Sequence, residues 1–282
     1  MRIFFTGSEG QLGHELAEVL KGEELLLGRR PEQDITDEKI ITQIHEFRPD
    51  VVIHAAAYTD VDGCENSRNL AHRVNAVGTH HVAGAAEKSG AMLVYISTDY
   101  VFSGLKRSPY VETDNPHPIN VYGQSKLEGE QFVRQSCSRY VVLRTSWLYG
   151  RTGKNFVGTI INMAAQKDEL RVVDDQIGCP TYAKDLAGAI AAIIQMEAYG
   201  LYHAAGQGVC SWFEFAEEIL KLAGISKKVI PISSQKLNRA ARRPRNSALS
   251  KQRINSLGIR LRPWQEALDE HIKTVRSLGG PS

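Results

Sequence analysis

Along the first half of the chain, short apolar runs alternate with longer stretches in which apolar residues recur every three or four positions. The runs Arg2–Thr6, Glu24–Leu27, Val51–Ala55, Met92–Ser97 and Tyr140–Thr145 predict strands. The amphipathic stretches Gln11–Leu20, Asp37–Phe47, Ser67–Lys88 and Val121–Gln135 predict helices between them. Strand alternating with helix implies parallel strands joined by crossovers, with helices on both faces. Near-continuous apolar runs such as Val51-Val52-Ile53 suit strands buried on both sides. The expected fold class is therefore α/β, a doubly wound parallel sheet.

The second half is less regular. Asn155–Gln166, Tyr182–Met196, Trp212–Leu222 and Trp264–Ser277 predict helices, and Leu170–Val173 a short strand. Ser211, followed three residues later by Glu214, has the spacing of a capping box at the start of a helix. Two stretches read as loops: Lys236–Ser250, rich in Arg and Pro, and Ser103–Ile119, with its three prolines. Long ordered loops in compact folds are often functional, and Ser103–Ile119 is expected to form a wall over an active site.

Composition narrows the function classes. A net charge of +2 over 282 residues gives no reason to expect nucleic acid or a membrane surface as partner. Cys64, Cys137, Cys179 and Cys210 form no C-x-x-C pair and have no zinc-like spacing, so reduced thiols are expected. Met1-Arg2 leads straight into an apolar strand, without the pattern of a signal peptide, and a cytoplasmic location is expected. His80-His81 reads as packing or surface rather than metal ligation.

Candidate chemistry begins at the first strand-to-helix turn, Thr6-Gly7-Ser8-Glu9-Gly10-Gln11-Leu12-Gly13. Gly7 suits a tight turn, Gly10 a close approach to a pyrophosphate, and Gly13 close packing of helix on sheet. The helix N-terminus would present free N–H groups and its positive dipole end to phosphates. Arg29 and Arg30 follow the second strand where NAD enzymes usually place an acidic residue. That favours NADPH, with NADH the alternative; Asp34 and Ile35 are candidates for an adenine pocket or a helix cap.

Tyr122 and Lys126 are four residues apart, hence on one face of a helix. An ammonium beside a phenol favours phenolate, and the tyrosine pKa is expected to fall from about 10. Ser97-Thr98 closes the apolar run before them.

Together these stretches resemble the extended short-chain dehydrogenase/reductase family, and within it the sugar-nucleotide reductases. The resemblance runs through Thr6–Gly13, His54–Asp62, Val74–Ala76, Tyr95–Phe102, Pro118–Lys126, Leu143–Tyr149, Asn155-Phe156, Val173–Thr181 and Arg243–Ser247. It implies a Rossmann-like cofactor domain over 1–149 and a smaller substrate domain mainly over 150–282, with segments near 177–205 returning to the first. It implies hydride transfer from NAD(P)H to C4 of a nucleotide-linked 4-keto-6-deoxy sugar. Thr98, Tyr122 and Lys126 would be the catalytic trio. Gly7, Gly10, Gln11, Leu12 and Gly13 would meet the pyrophosphate; Ala55, Ala56, Ala57 and Tyr58 would line the cofactor cleft, supported by Asn75. Val61, Asp99, Tyr100, Trp147, Asn155 and Arg243 would contact the sugar nucleotide. Related 4,6-dehydratases usually carry an acidic pair after the threonine. Here Thr98-Asp99-Tyr100 has one carboxylate, which argues for plain reduction. Some members bind magnesium through glutamates at a dimer interface. Glu15 matches one such position, on what reads as an exposed helix turn, and the other ligands have no match, so monomer and homodimer both stand. A non-catalytic subunit sharing this fold, resembling the beta subunit of methionine adenosyltransferase, is the alternative from a different function class.

Overall fold

The computed structural model describes residues 1–277. In chain order the first half holds β1 (Arg2–Thr6), α1 (Gln11–Val19), β2 (Glu24–Gly28), α2 (Lys39–Phe47), β3 (Val51–His54), α3 (Val61–Asn66), α4 (Arg68–His72), α5 (Gly78–Lys88), β4 (Met92–Thr98), α6 (Val121–Ser136) and β5 (Tyr140–Thr145). There follow β6 (Leu148–Tyr149), α7 (Phe156–Gln166), β7 (Glu169–Val173), β8 (Ile177–Gly178), β9 (Thr181–Tyr182), α8 (Ala183–Gln195) and β10 (Gly200–His203). The last elements are β11 (Cys210–Ser211), α9 (Trp212–Leu222), β12 (Lys228–Ile232), α10 (Gln252–Ser256) and α11 (Trp264–Ser277).

Six strands form one sheet in the order β10-β5-β4-β3-β1-β2, and every pairing in it is parallel. Because side chains alternate along a strand, Ile3 and Phe5 face one layer and Phe4 the other. The first layer packs on α1 and α8 through Leu16, Leu186 and Ile190. The second packs on α2, α5 and α6 through Ile40, Ile44, Val82 and Val133. Each fully buried side chain of this size contributes about 1.5–3 kcal/mol. A third core lies apart from the sheet and joins Tyr149, Ile160, Leu170, Phe215 and Leu268 from α7, α9, α11 and neighbouring strands. Outside the main sheet are the two-stranded pairs β12-β7, β11-β8 and β6-β9, which contribute residues such as Tyr149, Leu170 and Cys210 to this third core.

The chain leaves β1 for β2 on one side and later continues from β3 outward on the other, so strand order reverses between β1 and β3. Open α/β sheets bind ligands at the carboxyl ends of strands flanking such a reversal. The expected helix Ser67–Lys88 is a near-continuous helical stretch interrupted by a π turn over Arg73–Val77. The loop Ser103–Ile119 is fastened to the Arg/Pro-rich segment: Tyr110 N donates to Ala248 O at 2.8 Å and Ser250 N to Tyr110 O at 2.7 Å. Tyr110 also stacks on Phe102 at 4.1 Å between ring centroids.

Candidate active site

The glycine turn opens onto the β1/β3 reversal. Gly7 has φ +79°, and a Cβ there would lie 2.6 Å from Ala56 N and 2.8 Å from Ala55 C, so only glycine lets the two loops touch. A Cβ on Gly13 would lie 2.2 Å from Ser8 O. Gly10 is the N-cap of α1, without a side-chain cap and without an acidic residue in the first turn. Gln11, Leu12 and Gly13 therefore point first-turn N–H groups that lack intrahelical partners toward the crevice. Gln11 adds a buried Oε1 that has no hydrogen-bond partner. This cradle fits an anionic dinucleotide pyrophosphate.

Its far wall is Ala55–Tyr58, partly buried after β3. Asn75, in the π turn, accepts from Tyr58 N at 2.7 Å and donates to Tyr58 O at 3.0 Å and to Ser125 Oγ at 3.0 Å. One amide thus ties the β3 loop to α6. At the other end of the crevice Arg29 and Arg30 are exposed beyond β2. Asp34 accepts from Thr36 N and Thr36 Oγ1, both at 2.8 Å, in a local turn, and is not the expected helix cap, since the N-cap of α2 is Glu38. Ile35 is buried, and its Cδ1 would sit 2.8 Å from a Cβ on Gly78.

Tyr122 lies in the first turn of α6, whose N-cap Asn120 accepts from Gly123 N at 2.8 Å and donates to Arg242 O at 2.8 Å. The helix lies flat on the turn after β4: a Cβ on Gly123 would meet Tyr100 O at 2.1 Å, and one on Gly129 would meet Tyr95 Oη at 2.4 Å. This packing sets Tyr122 beside Thr98, whose hydroxyl pulls the phenol's pKa down. The Tyr100 ring meets the Tyr122 ring edge-on at 5.9 Å. Lys126, one turn on, is 2 % exposed, with Nζ 4.1 Å over the Tyr95 ring. Thr98, Tyr122 and Lys126 therefore gather beside the β1/β3 crevice.

The electrostatics differ from the expectation. Burial raises the Tyr122 phenol above its ordinary range, opposed by the Thr98 hydroxyl and reinforced by Asp99. Burial draws Lys126 down to about 7, opposed by the charge of Glu130. Spacing alone predicted an acidified phenol, but desolvation penalises both charged forms and is the largest influence on each. Asp99 is pushed up to about 7 by burial, against hydrogen bonds from Ser247 and Thr98, and its Oδ2 is buried without a partner.

Val61 opens α3 beside Asp62, which engages Arg243 through Nη1 at 3.1 Å and Nη2 at 2.7 Å. Arg243, an expected sugar-nucleotide contact, is thus already engaged by a carboxylate, and Arg239 approaches the same Asp62 at 3.4 Å. These bonds hold the Arg/Pro-rich loop against α3, next to Tyr100. Trp147, at φ +47°, stacks on Trp212 at 3.4 Å, and Asn155 caps α7 by accepting from Gly158 N at 3.0 Å. Both have structural duties. Glu15 is not on an exposed turn: it is 2 % exposed and takes Arg151 Nε at 2.7 Å and Nη2 at 3.1 Å. Among the described residues no group of three or more His, Cys, Asp or Glu is placed to hold a metal. Sequence reasoning passed over Asp62, Ser125, Glu130 and Arg144. Two signals were available: a carboxylate one turn after Lys126, and an arginine inside the apolar run Tyr140–Thr145.

A wholly parallel sheet with a glycine turn at its strand-order reversal defines the Rossmann-like nucleotide-binding class of reductases and epimerases. Within that class the chain matches the family described as RmlD substrate binding domain over residues 1–277, and it belongs to that family. It is 39% identical over 275 residues to the spore coat polysaccharide biosynthesis protein SpsK of Bacillus subtilis, covering 96% of this chain and 97% of that protein. The crystal structure of a dTDP-4-dehydrorhamnose reductase from Clostridium acetobutylicum superposes with a TM-score of 0.95 at 42% identity, covering 98% of this chain and 100% of that one. A dTDP-4-dehydrorhamnose reductase from Bacillus anthracis, solved in complex with NADP, gives a TM-score of 0.94 at 42% identity, with coverages of 97% and 99%.

Proposed function

We propose that this protein is an NADPH-dependent reductase that converts the C4 keto group of dTDP-4-dehydro-L-rhamnose to the alcohol of dTDP-L-rhamnose. The observation that carries this reading is the gathering of Thr98, Tyr122 and Lys126 at the carboxyl end of β4, beside the glycine turn. The full-length likeness to dTDP-4-dehydrorhamnose reductases, one of them solved with NADP, supports the substrate and the cofactor.

Gly10, Gln11, Leu12 and Gly13 hold the pyrophosphate on the N-terminus of α1. Ala55–Tyr58 line the cleft, and the exposed Arg29 and Arg30 suit a 2′-phosphate. Bound NADPH supplies the hydride for C4 of the sugar. Charge then develops on the carbonyl oxygen, and Tyr122 gives it a proton as general acid. A phenol held protonated by burial is the correct form for that donation. Thr98 donates a hydrogen bond to the same oxygen where the charge appears. Lys126 holds the ribose and, when charged, eases proton loss from Tyr122. Asp99, with its unpartnered Oδ2, faces the sugar hydroxyls. Without a second carboxylate, the acid–base pair that dehydration needs is missing. Residues 1–149 serve the cofactor side and the later residues mainly the sugar-nucleotide side. Four buried free thiols suit a reducing compartment such as the cytoplasm.

The test is loss of NADPH absorbance with dTDP-4-dehydro-L-rhamnose, run beside epimeric keto sugars and GDP- and UDP-linked analogues. The proposal expects the highest kcat/KM for the dTDP-linked rhamnose precursor. A higher value for an epimer or another nucleotide would reassign the substrate, and no oxidation with any ketone would leave a binding subunit.

A further inference from the structure

Beneath Lys126 lies an ion pair that the reaction above does not use. Glu130 and Arg144 are each 1 % exposed, and among the described residues no other ion pair is so buried on both sides. Glu130 follows Lys126 by one helical turn on α6, and Arg144 stands in β5 directly across from Ser97 in β4. The Glu130 carboxylate is held from both strands. Oε1 accepts from Ser97 Oγ at 2.6 Å and Arg144 Nε at 2.8 Å, and Oε2 accepts from Arg144 Nη2 at 2.7 Å. Ser97 immediately precedes Thr98. One carboxylate therefore locks the turn of α6 bearing Lys126 to the strand end bearing Thr98.

A fully buried ion pair is a poor way to gain stability, since apolar packing of the same volume does as well or better. Its placement points to another duty. Lys126 is itself buried, and the groups that face it are few. On α6 Glu130 acts on it by charge; from β4 the Tyr95 ring lies 4.1 Å from Nζ; Arg144 of β5 is engaged by Glu130. His54 from β3 is fully buried and kept neutral by burial, with the Lys126 charge acting in the same direction. Glu130, four residues on along the same helix, is the carboxylate whose charge acts on the ammonium, without an ion-pair contact to it among the described residues.

We propose that Glu130 is the positioning residue for Lys126: clamped by Ser97 and Arg144, it fixes the lysine's turn of helix and supplies the negative charge that keeps the ammonium protonated in a dry site. Its consequence for turnover rests on the reductase reading, but its test does not.

The experiment follows Lys126 by the 13Cε shift of ε-13C-lysine-labelled enzyme, the signal assigned by its loss in Lys126→Arg. In Glu130→Gln, Lys126 loses its proton at least about one pH unit below wild type, as removal of a nearby opposite charge requires. The high-pH limb of kcat/KM moves down with it. The double variant Glu130→Gln/Arg144→Gln leaves no unpaired buried charge, so it regains the melting temperature while keeping the lowered titration. It also decides the matter if Glu130→Gln alone does not fold. Wild-type titration in either folded variant, or a double variant whose pH limb returns to wild type, overturns the proposal. Should the wild-type protein reduce no sugar nucleotide, the reductase reading fails, yet the titration still decides the role of Glu130.

Discussion

Tyr122 is where the residue-scale account is most exposed to test. Tyr122 is half-buried beside Thr98, and desolvation keeps its phenol protonated. Replacing it with Phe preserves the ring packing on Tyr100 and removes only the hydroxyl. Tyr122→Phe should lower kcat by at least about a hundredfold, the usual scale for a positioned proton donor, with the NADPH dissociation constant little changed. Turnover near wild type would remove Tyr122 from the acid role. The pair Tyr122 and Lys126 was legible from spacing alone, but the sign of the phenol's shift was not. Spacing shows which groups share a helix face. It does not show how much water they lose, and in this site desolvation sets the direction of both shifts. Glu15 was misjudged for the same reason: its partner Arg151 lies 136 positions away.

At the scale of elements, local chemistry was read well wherever neighbours in sequence decide it. The Ser211–Glu214 capping box forms as its spacing predicts, with both reciprocal hydrogen bonds present. The five strands expected in the first half all lie in the main sheet. The sixth, β10, was not anticipated: Gly200–His203 is short, has no alternation, and becomes a strand only because β5 offers it a parallel edge. The π turn over Arg73–Val77 was equally hidden. Its local signal is that of ordinary helix, while its cause is the long-range demand of Asn75 for Tyr58 and Ser125. The glycine turn makes a sharp prediction. A Cβ at Gly13 meets a backbone carbonyl rather than a yielding side chain. Gly13→Ala should destabilise the fold by about 1–3 kcal/mol, as overpacking does, and weaken NADPH binding, read by urea unfolding and by cofactor fluorescence. Unchanged stability and affinity would mean that α1 does not pack on the turn as described.

For the whole molecule, buried titratable groups set the response to acid. His54 and His203 are lowered to about 3 and His271 to about 4, chiefly by burial. Their ordinary value is 6.5, so the unfolded chain takes up protons that the native fold refuses. The stability they contribute is full above pH 6.5 and is lost as pH falls toward 4 and below. Asp99, raised to about 7, works the other way over the same interval, but one carboxyl does not offset three imidazoles. The urea midpoint should therefore fall steadily from about pH 6.5 to 4, and a flat profile there would mean that these histidines are solvated. Asp62, held down to about 2 chiefly by its hydrogen bond from Arg243, extends the loss below pH 4. The central claim, that the trio at the end of β4 directs hydride to a sugar ketone, is tested most directly by isotope. With NADPH deuterated at both C4 positions and dTDP-4-dehydro-L-rhamnose, NMR of the product should show one deuterium at sugar C4 with wild-type enzyme. Tyr122→Phe should deliver it to the same carbon far more slowly. Deuterium at any other carbon, or a reduced product carrying none, would contradict the account.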